Sequence, residues 1–275
     1  MRSRRKTVLW AIAGLLVVVY TMVPVLWIVS LSFKQGDDIN NKQFLPSEWS
    51  LENYRTVFRT DLFKSALWNS VGISLIASVA SVVLATLAAY AIARLEFKGK
   101  KAVLSTALAI AMFPTVALVG PLFDMWRSFG IYDTWPGLII PYMSFTLPLA
   151  IWTLSAFFRE IPWEMEQAAQ VDGATSWQAF RKVIVPLAAP GVFTAAILTF
   201  FFAWNDFVFG ISLTSTEAAR PIPASLAFFV GPDPFTRPAS LLAAAAVIAT
   251  IPIIVIVLIF QRKIVAGLTS GAVKG

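Results

Sequence analysis

Trp204, Asn205 and Asp206 stand in a row near the end of one apolar run, and Asn69 and Ser70 stand together near the start of another. Together they offer an indole face, two amides, a hydroxyl and a carboxylate. Such groups hydrogen-bond the hydroxyls of an uncharged solute and cover its C–H surface, and a few of them in an apolar wall make a small-molecule site. The runs themselves hold essentially no other charge, which disfavours a proton or ion relay, since charged side chains inside a membrane usually mark such routes. These five residues are therefore the candidate lining of a path for a neutral polar solute. For Trp204 alone, an anchor at the membrane interface is the competing reading.

Other chemistry is narrowly bounded. The 275 residues include no Cys and no His, which removes disulfides, thiol and imidazole catalysis and the usual zinc ligands. No G-x-x-x-x-G-K-[ST] string occurs, so the chain has no phosphate-cradling loop with which to hydrolyse a nucleotide. No catalytic residue, metal or bound cofactor is expected, and the energy for transport has to come from another subunit. The net charge of +7 comes from basic residues gathered at the ends of apolar runs, the pattern of membrane flanks rather than of a nucleic-acid surface. Nucleic acid is not expected as a partner.

The elements that must position these groups are membrane helices. With 58% hydrophobic and 13% charged residues and a mean hydropathy of +0.75, the chain cannot cover a water-facing surface of this size. Six apolar runs, about 8–33, 66–93, 102–122, 135–158, 190–213 and 241–260, each reach the roughly 20 residues that span the hydrocarbon. The expectation is an all-α, multi-pass membrane protein, a single permease domain over residues 1–275. The first run follows Arg2, Arg4, Arg5 and Lys6, is too long for a signal-peptide core and lacks a clear small-residue cleavage site, so it reads as a retained span. Placing the N-terminus inside puts 14 of the 22 Lys and Arg on the cytoplasmic side, which predicts cytoplasmic N- and C-termini. The prolines at 24, 114, 121, 141, 148 and 252 lie within spans, where kinks are tolerated if neighbours satisfy the freed carbonyls. Outside, Ser50 caps a possible short helix with Leu51, Tyr54, Val57 and Phe58 on one face, an irregular loop being the alternative. The loop from Asp206 to Ser240 has too many prolines and glycines for a long element.

Between the fourth and fifth runs lies the polar stretch 159–189, the cytoplasmic loop, which reads as two short helices. Pro162 starts the first, with Glu164 and Glu166 in its first turn where the helix dipole favours acids. Asp172-Gly173 ends it, Thr175 or Ser176 caps a second, and that second helix carries Trp177, Phe180, Val183 and Ile184 on one face and stops before Pro186. Ala168 and Ala169 leave a surface without bulk, which lets a partner's backbone approach closely. A hairpin merely lying on the bilayer is the competing reading, although membrane-surface helices favour Lys and Arg where this loop has Glu160, Glu164, Glu166 and Asp172.

Gln167-Ala168-Ala169, Asp172-Gly173-Ala174 and Val185-Pro186 together resemble the EAA loop of binding-protein-dependent ABC importer permeases. The resemblance implies the type I (MetI-like) permease fold. It further implies that Glu166, Gln167, Ala168, Ala169, Asp172 and Gly173 form a coupling helix that sits in a cleft of a cytoplasmic ATPase subunit. The Glu that precedes the two alanines in the family is Gln167 here, with Glu166 one place earlier. One residue turns a helical side chain by about 100°, which leaves open which of the two faces the ATPase. The tail over 261–275 is small and flexible by composition after Gly267. It resembles the tail of the maltose-type (MalG) permeases, which implies that Gly267, Leu268, Thr269, Ser270 and Gly271 contact the ATPase pair.

The resemblance to that group covers nearly the whole chain, and the run from Ala179 to Gly191 with the tail looks most like the permeases of mycobacterial trehalose importers. It implies a non-catalytic subunit of the bacterial cytoplasmic membrane that moves a disaccharide, trehalose. The implied partners are a second, related permease, two ATPase subunits that use ATP and Mg, and an external binding protein or lipoprotein that delivers the sugar. Another neutral sugar or polyol remains an alternative cargo. A stand-alone secondary transporter, or a membrane anchor that transports nothing, are the rival classes.

Overall fold

The computed structural model describes residues 2–229 and 239–270, with side chains for residues 6–229 and 239–260. All regular structure among the described residues is helical. Five helices are each long and apolar enough to cross a membrane: the apolar part of α1 (Arg2–Ser32), α3 (Asp61–Arg94), α6 (Trp135–Glu160), α10 (Ala189–Asn205) with α11 (Val208–Ser212), and α13 (Ala239–Ser270). The bent pair α4 (Lys100–Ala111) and α5 (Thr115–Phe129) would make a sixth if it counts as one broken span.

That pair bends sharply within the expected 102–122 span, at one of its prolines. The two helices meet at 88°, because Pro114 has no N–H to donate and holds Phe113 away from helical geometry. A second departure is in the expected 190–213 span, where α10 ends at Asn205 and Asp206 is extended (φ −65°, ψ 127°) before α11. Residues 241–260 are helical, and α13 continues to Ser270, so the first part of the expected flexible tail is helical. Much of the outer loop's proline cluster, 230–238, lies outside the described residues.

The chain divides into two compact units. The first, residues 1–64 and 226–252, holds a polar knot after α1. Lys34 is fully buried there, its ammonium donating to Asn41 Oδ1 at 2.9 Å and the Gln43 carbonyl at 2.6 Å, with the Trp27 ring 5.2 Å away. Burial of this cation is tolerable because its protons are taken up by neutral acceptors and an aromatic face. Asn53 donates to the Ser32 and Lys34 carbonyls, both at 2.9 Å. The expected outer helix is α2 (Glu52–Arg59), with Val57 buried and Leu51 and Phe58 exposed; Leu51 rather than Ser50 is its cap residue.

The second unit, residues 65–225 and 253–275, packs α10 and α4 on α6 and carries α7 (Trp163–Val171) with the segment that follows it. One apolar cluster gathers Ala85 and Ala89 of α3, Leu154 and Phe158 of α6, and Phe180, Ile184 and Ala195. Another gathers Ile73, Trp126, Leu138, Tyr142, Ala203 and Phe209. Hydroxyls cross between helices, Ser81 with Thr146 and Ser78 with Thr199, both at 2.8 Å. Such pairs satisfy polar groups where no water is available.

Candidate functional site

The polar stretch folds as the two-armed hook that its capping residues predict. Helix α7 runs from Trp163 behind Pro162 and carries Glu164 and Glu166 in its first turn. It ends in a Schellman motif: Gly173 N–H donates to the Gln170 carbonyl at 3.0 Å and Ala174 N–H to the Ala169 carbonyl at 2.9 Å. Gly173 has φ +88°, a backbone conformation that glycine adopts without a Cβ penalty. Thr175 then caps α8 (Ser176–Ala179) through a capping box, accepting from Gln178 N–H at 3.3 Å while Gln178 Oε1 accepts from Thr175 N–H at 2.9 Å.

The second arm does not stop before Pro186, which corrects that boundary. A π turn over Phe180–Ile184 widens the helix and leads into α9 (Val185–Leu187), the Val185 N–H donating to the Phe180 carbonyl. A widened turn of this kind accommodates the proline without a stop. The break falls two residues later, at Ala188 (φ −80°, ψ 1°), before α10. Phe180 and Ile184 face inward, whereas Trp177 is exposed and tilts against Phe180 at 5.2 Å.

The two residues left open by the sequence separate cleanly. Glu166 is 6% exposed and points into the unit; Gln167 and Ala168 face outward, as do Asp172 and Gly173, with Ala169 half-buried. The Glu166 carboxylate accepts from the Tyr90 hydroxyl and has Arg94 Nε 3.8 Å from its other oxygen. Arg94, itself 5% exposed, donates to the Ile161 carbonyl at 2.7 Å and lies over the Trp163 ring at 4.6 Å. The outward face of the hook is apolar as well as small, with Trp163, Met165, Val171 and Trp177 all exposed.

The candidate path residues do not form one free set. Asn69 is buried and donates to the Glu217 and Arg220 carbonyls at 2.8 and 3.1 Å, while its own carbonyl accepts from Trp135 Nε1 at 2.9 Å. Ser70, also buried, accepts from Ile222 N–H at 2.7 Å. These two fasten to α3 the 217–222 segment, which leads into α12 (Ile222–Ser225). Trp204 is buried and stacked on Phe200 at 5.5 Å, away from the interfacial anchor role as well. Asn205 is exposed, and Asp206 is half-buried, accepting from the Tyr142 hydroxyl at 3.0 Å and from Gly210 N–H at 3.1 Å. Of the tail residues, Gly267 to Ser270 continue α13 and Gly271 lies outside the described residues.

Three residues at work here were not singled out from the sequence. Tyr90 and Arg94 read as part of an apolar span and its basic flank; their spacing of four, one helical turn at the end facing the hook, is the available signal. Asp133, in the turn between α5 and α6, takes hydrogen bonds from both the N–H and the hydroxyl of Ser215 and of Thr216. Burial pushes its carboxyl up, but these donors outweigh it and hold the group below the ordinary carboxylate value.

A membrane-helix scaffold with a capped, outward-facing hook matches a known family: residues 81–270 fit the family model "Binding-protein-dependent transport system inner membrane component". The chain belongs to this family. Its members similar to this chain include the trehalose transport system permease protein SugB of Mycobacterium tuberculosis, 59% identical over 275 residues and covering all of both chains. The trehalose/maltose transport system permease protein MalG of Thermococcus litoralis is 36% identical, over 98% of each chain. Among solved structures, a chain of a bacterial ABC transporter involved in the import of the acidic polysaccharide alginate superposes with a TM-score of 0.80, at 22% identity, over 94% of this chain and 96% of that one. This likeness establishes the ABC permease fold. The chain is accordingly a non-catalytic transport component, in keeping with the missing nucleotide-binding loop.

Proposed function

We propose that this chain is a transmembrane permease subunit of an ATP-driven importer that brings trehalose across the bacterial cytoplasmic membrane. The observation that carries the reading is the full-length 59% identity to a trehalose transport permease. The near absence of charge in the spans supports a neutral cargo. The chain pairs with a second, related permease. Two separate ATPase subunits bind and hydrolyse ATP with Mg, and an external binding protein delivers the sugar. Both termini and the hook are cytoplasmic, by the distribution of Lys and Arg.

In this reading Gln167, Ala168, Ala169, Asp172 and Gly173 present the docking face to one ATPase subunit. The exposed Trp163, Met165, Val171 and Trp177 add apolar area to that contact. The α13 extension through Gly267–Ser270, with Gly271 beyond it, reaches toward the ATPase pair. Closure of the ATPases on ATP displaces the hook, and a helix pair joined through a Schellman motif and a capping box passes the displacement on as a rigid body. Asn205 is the path residue whose exposure fits contact with sugar hydroxyls, with the half-buried Asp206 beside it.

The test is uptake of labelled trehalose, with maltose as comparison, in cells lacking the gene and in cells given it back. Loss and restoration for trehalose is the expected result. Loss of another sugar alone keeps the importer and replaces the cargo, and unchanged uptake of every sugar overturns the reading.

A further inference from the structure

We infer that Tyr90 and Arg94, one helical turn apart on α3, are positioning residues that lock the hook to α3, with Glu166 as the shared strike plate. The inference rests on the transport reading above, and it concerns residues on the membrane side of the hook rather than its docking face. Tyr90 reaches both arms. Its hydroxyl donates to Glu166 on α7, and its ring lies 4.6 Å from Phe180 in the π turn and 6.1 Å from Phe158 at the end of α6. Arg94 reaches the first arm at Glu166, 3.8 Å, and at the Trp163 ring, 4.6 Å, and donates to the Ile161 carbonyl just before it at 2.7 Å.

Burial makes this arrangement costly to break. Glu166 and Arg94 are 6% and 5% exposed, so removing one leaves the other as a buried charge without its counterion, which is strongly destabilising locally. Elsewhere the first arm exposes polar and apolar residues alike: Glu164, Met165, Gln167 and Val171 are all exposed. An inward-pointing carboxylate on so exposed a helix is therefore the chief polar tie between this arm and the scaffold. If the tie is loose, a push on the docking face turns the hook instead of moving α3. The latch thus determines how much of each ATPase stroke reaches the membrane helices.

The experiment uses the complete importer in proteoliposomes and reads labelled trehalose moved per ATP hydrolysed. Glu166→Gln keeps size and an acceptor for Tyr90 but strips the charge facing Arg94; Tyr90→Phe keeps the ring and strips the hydroxyl. Each is expected to lower the sugar-to-ATP ratio several-fold, and the double variant is expected to be little worse than the more damaged single one, since both act on one contact. An unchanged ratio in both singles overturns the latch. A parental complex that moves no trehalose would instead be a failure of the cargo assignment. A cargo-independent readout then decides: the chain has no Cys, so spin labels at Leu87→Cys on α3 and Gln170→Cys on the hook report one distance distribution. It is expected to be narrow in the parent and broadened in the Glu166→Gln and Tyr90→Phe backgrounds, and equal widths reject the latch.

Discussion

Gly137 meets the backbone of Ile131 so closely that a Cβ on it would lie 2.4 Å from the Ile131 carbonyl oxygen. The same turn is fastened by Thr134, whose hydroxyl donates to that carbonyl at 2.6 Å and accepts from Gly137 N–H at 3.3 Å, and by Trp126 Nε1, which donates to the Gly137 carbonyl at 2.7 Å. A backbone oxygen bonded in this way cannot step aside for a methyl group. Gly137→Ala is therefore expected to destabilise the α5–α6 connection by about 1–3 kcal/mol, the usual scale of overpacking. Gly14→Ala is the control: it lies inside α1, where an added methyl group would meet nothing within 4 Å, and should be neutral or stabilise by about 0.5–1 kcal/mol. Thermal unfolding of the detergent-purified permease checks both, and equal midpoints would remove the steric argument.

Asp133 gives the outer turn a pH dependence with a definite sign. Its carboxyl titrates below the ordinary value of 3.8 in the folded chain. Its contribution is therefore complete above about pH 5 and is lost as the pH falls through the lowered value, because the unfolded chain takes up the proton first. Asp38 behaves alike: hydrogen bonds from Ser47 and Asn41, with Lys34 nearby, overcome the upward push of burial. Asp133→Asn removes the charge and one of the two acceptor oxygens without straining the backbone, since Asn also tolerates the positive φ of 58° found there. The variant is expected to unfold at a lower temperature at pH 7 and to lose less stability than the parent between pH 5 and pH 3. An identical acid profile would mean that the donors around Asp133 do not depend on its charge.

Spans, hook and caps were legible because each has a local cause: hydrophobic length for α3, α6 and α13, a left-handed glycine at position 173, a capping box at Thr175. Run length alone could not reveal the 88° bend, since 102–122 is apolar throughout and only Pro114 signals the break. Pro186 carries the same signal and is passed over by a π turn, so a proline marks a weak point and packing decides its outcome. The site was less legible. Whether Asn69 meets a solute or the Arg220 carbonyl depends on where a segment about 150 positions away folds back, and nothing near Asn69 encodes that. The inward turn of Glu166 likewise needed the Tyr90 and Arg94 side chains of another helix.

Asn69 and Asn205 should consequently fail in different ways. Asn69→Ala removes the donor to the Glu217 and Arg220 carbonyls and the acceptor for Trp135 Nε1, three bonds at a buried position. Stranding such groups costs about 1–3 kcal/mol each at most, so lower thermal stability and yield are expected, with no change in which sugar is preferred. Asn205→Ala touches one exposed helical hydrogen bond, to the Phe201 carbonyl at 2.8 Å. It should leave stability within about 0.5 kcal/mol and raise the KM for trehalose uptake. Uptake kinetics beside unfolding curves separate the two, and a stable Asn69→Ala protein with altered sugar preference would return Asn69 to the path.

A Cβ at Gly173 would meet nothing of this chain within 4 Å. Within the chain, any cost of substitution is then conformational. Gly173→Ala must hold φ near +88° at about 1–2 kcal/mol, and Gly173→Asn should cost less, as Asn enters the left-handed region more readily. Gly173→Pro cannot hold it at all, since the ring fixes φ near −65° and removes the N–H that bonds to Gln170. The Schellman end of α7 would open and the second arm would leave at a new angle, turning the docking face away from its partner. Uptake in complemented cells should therefore fall in the order parent, Asn, Ala, Pro, with the Pro variant inactive though still inserted in the membrane. Transport by the Pro variant at the parental rate would show that the angle between the two arms does not matter for coupling.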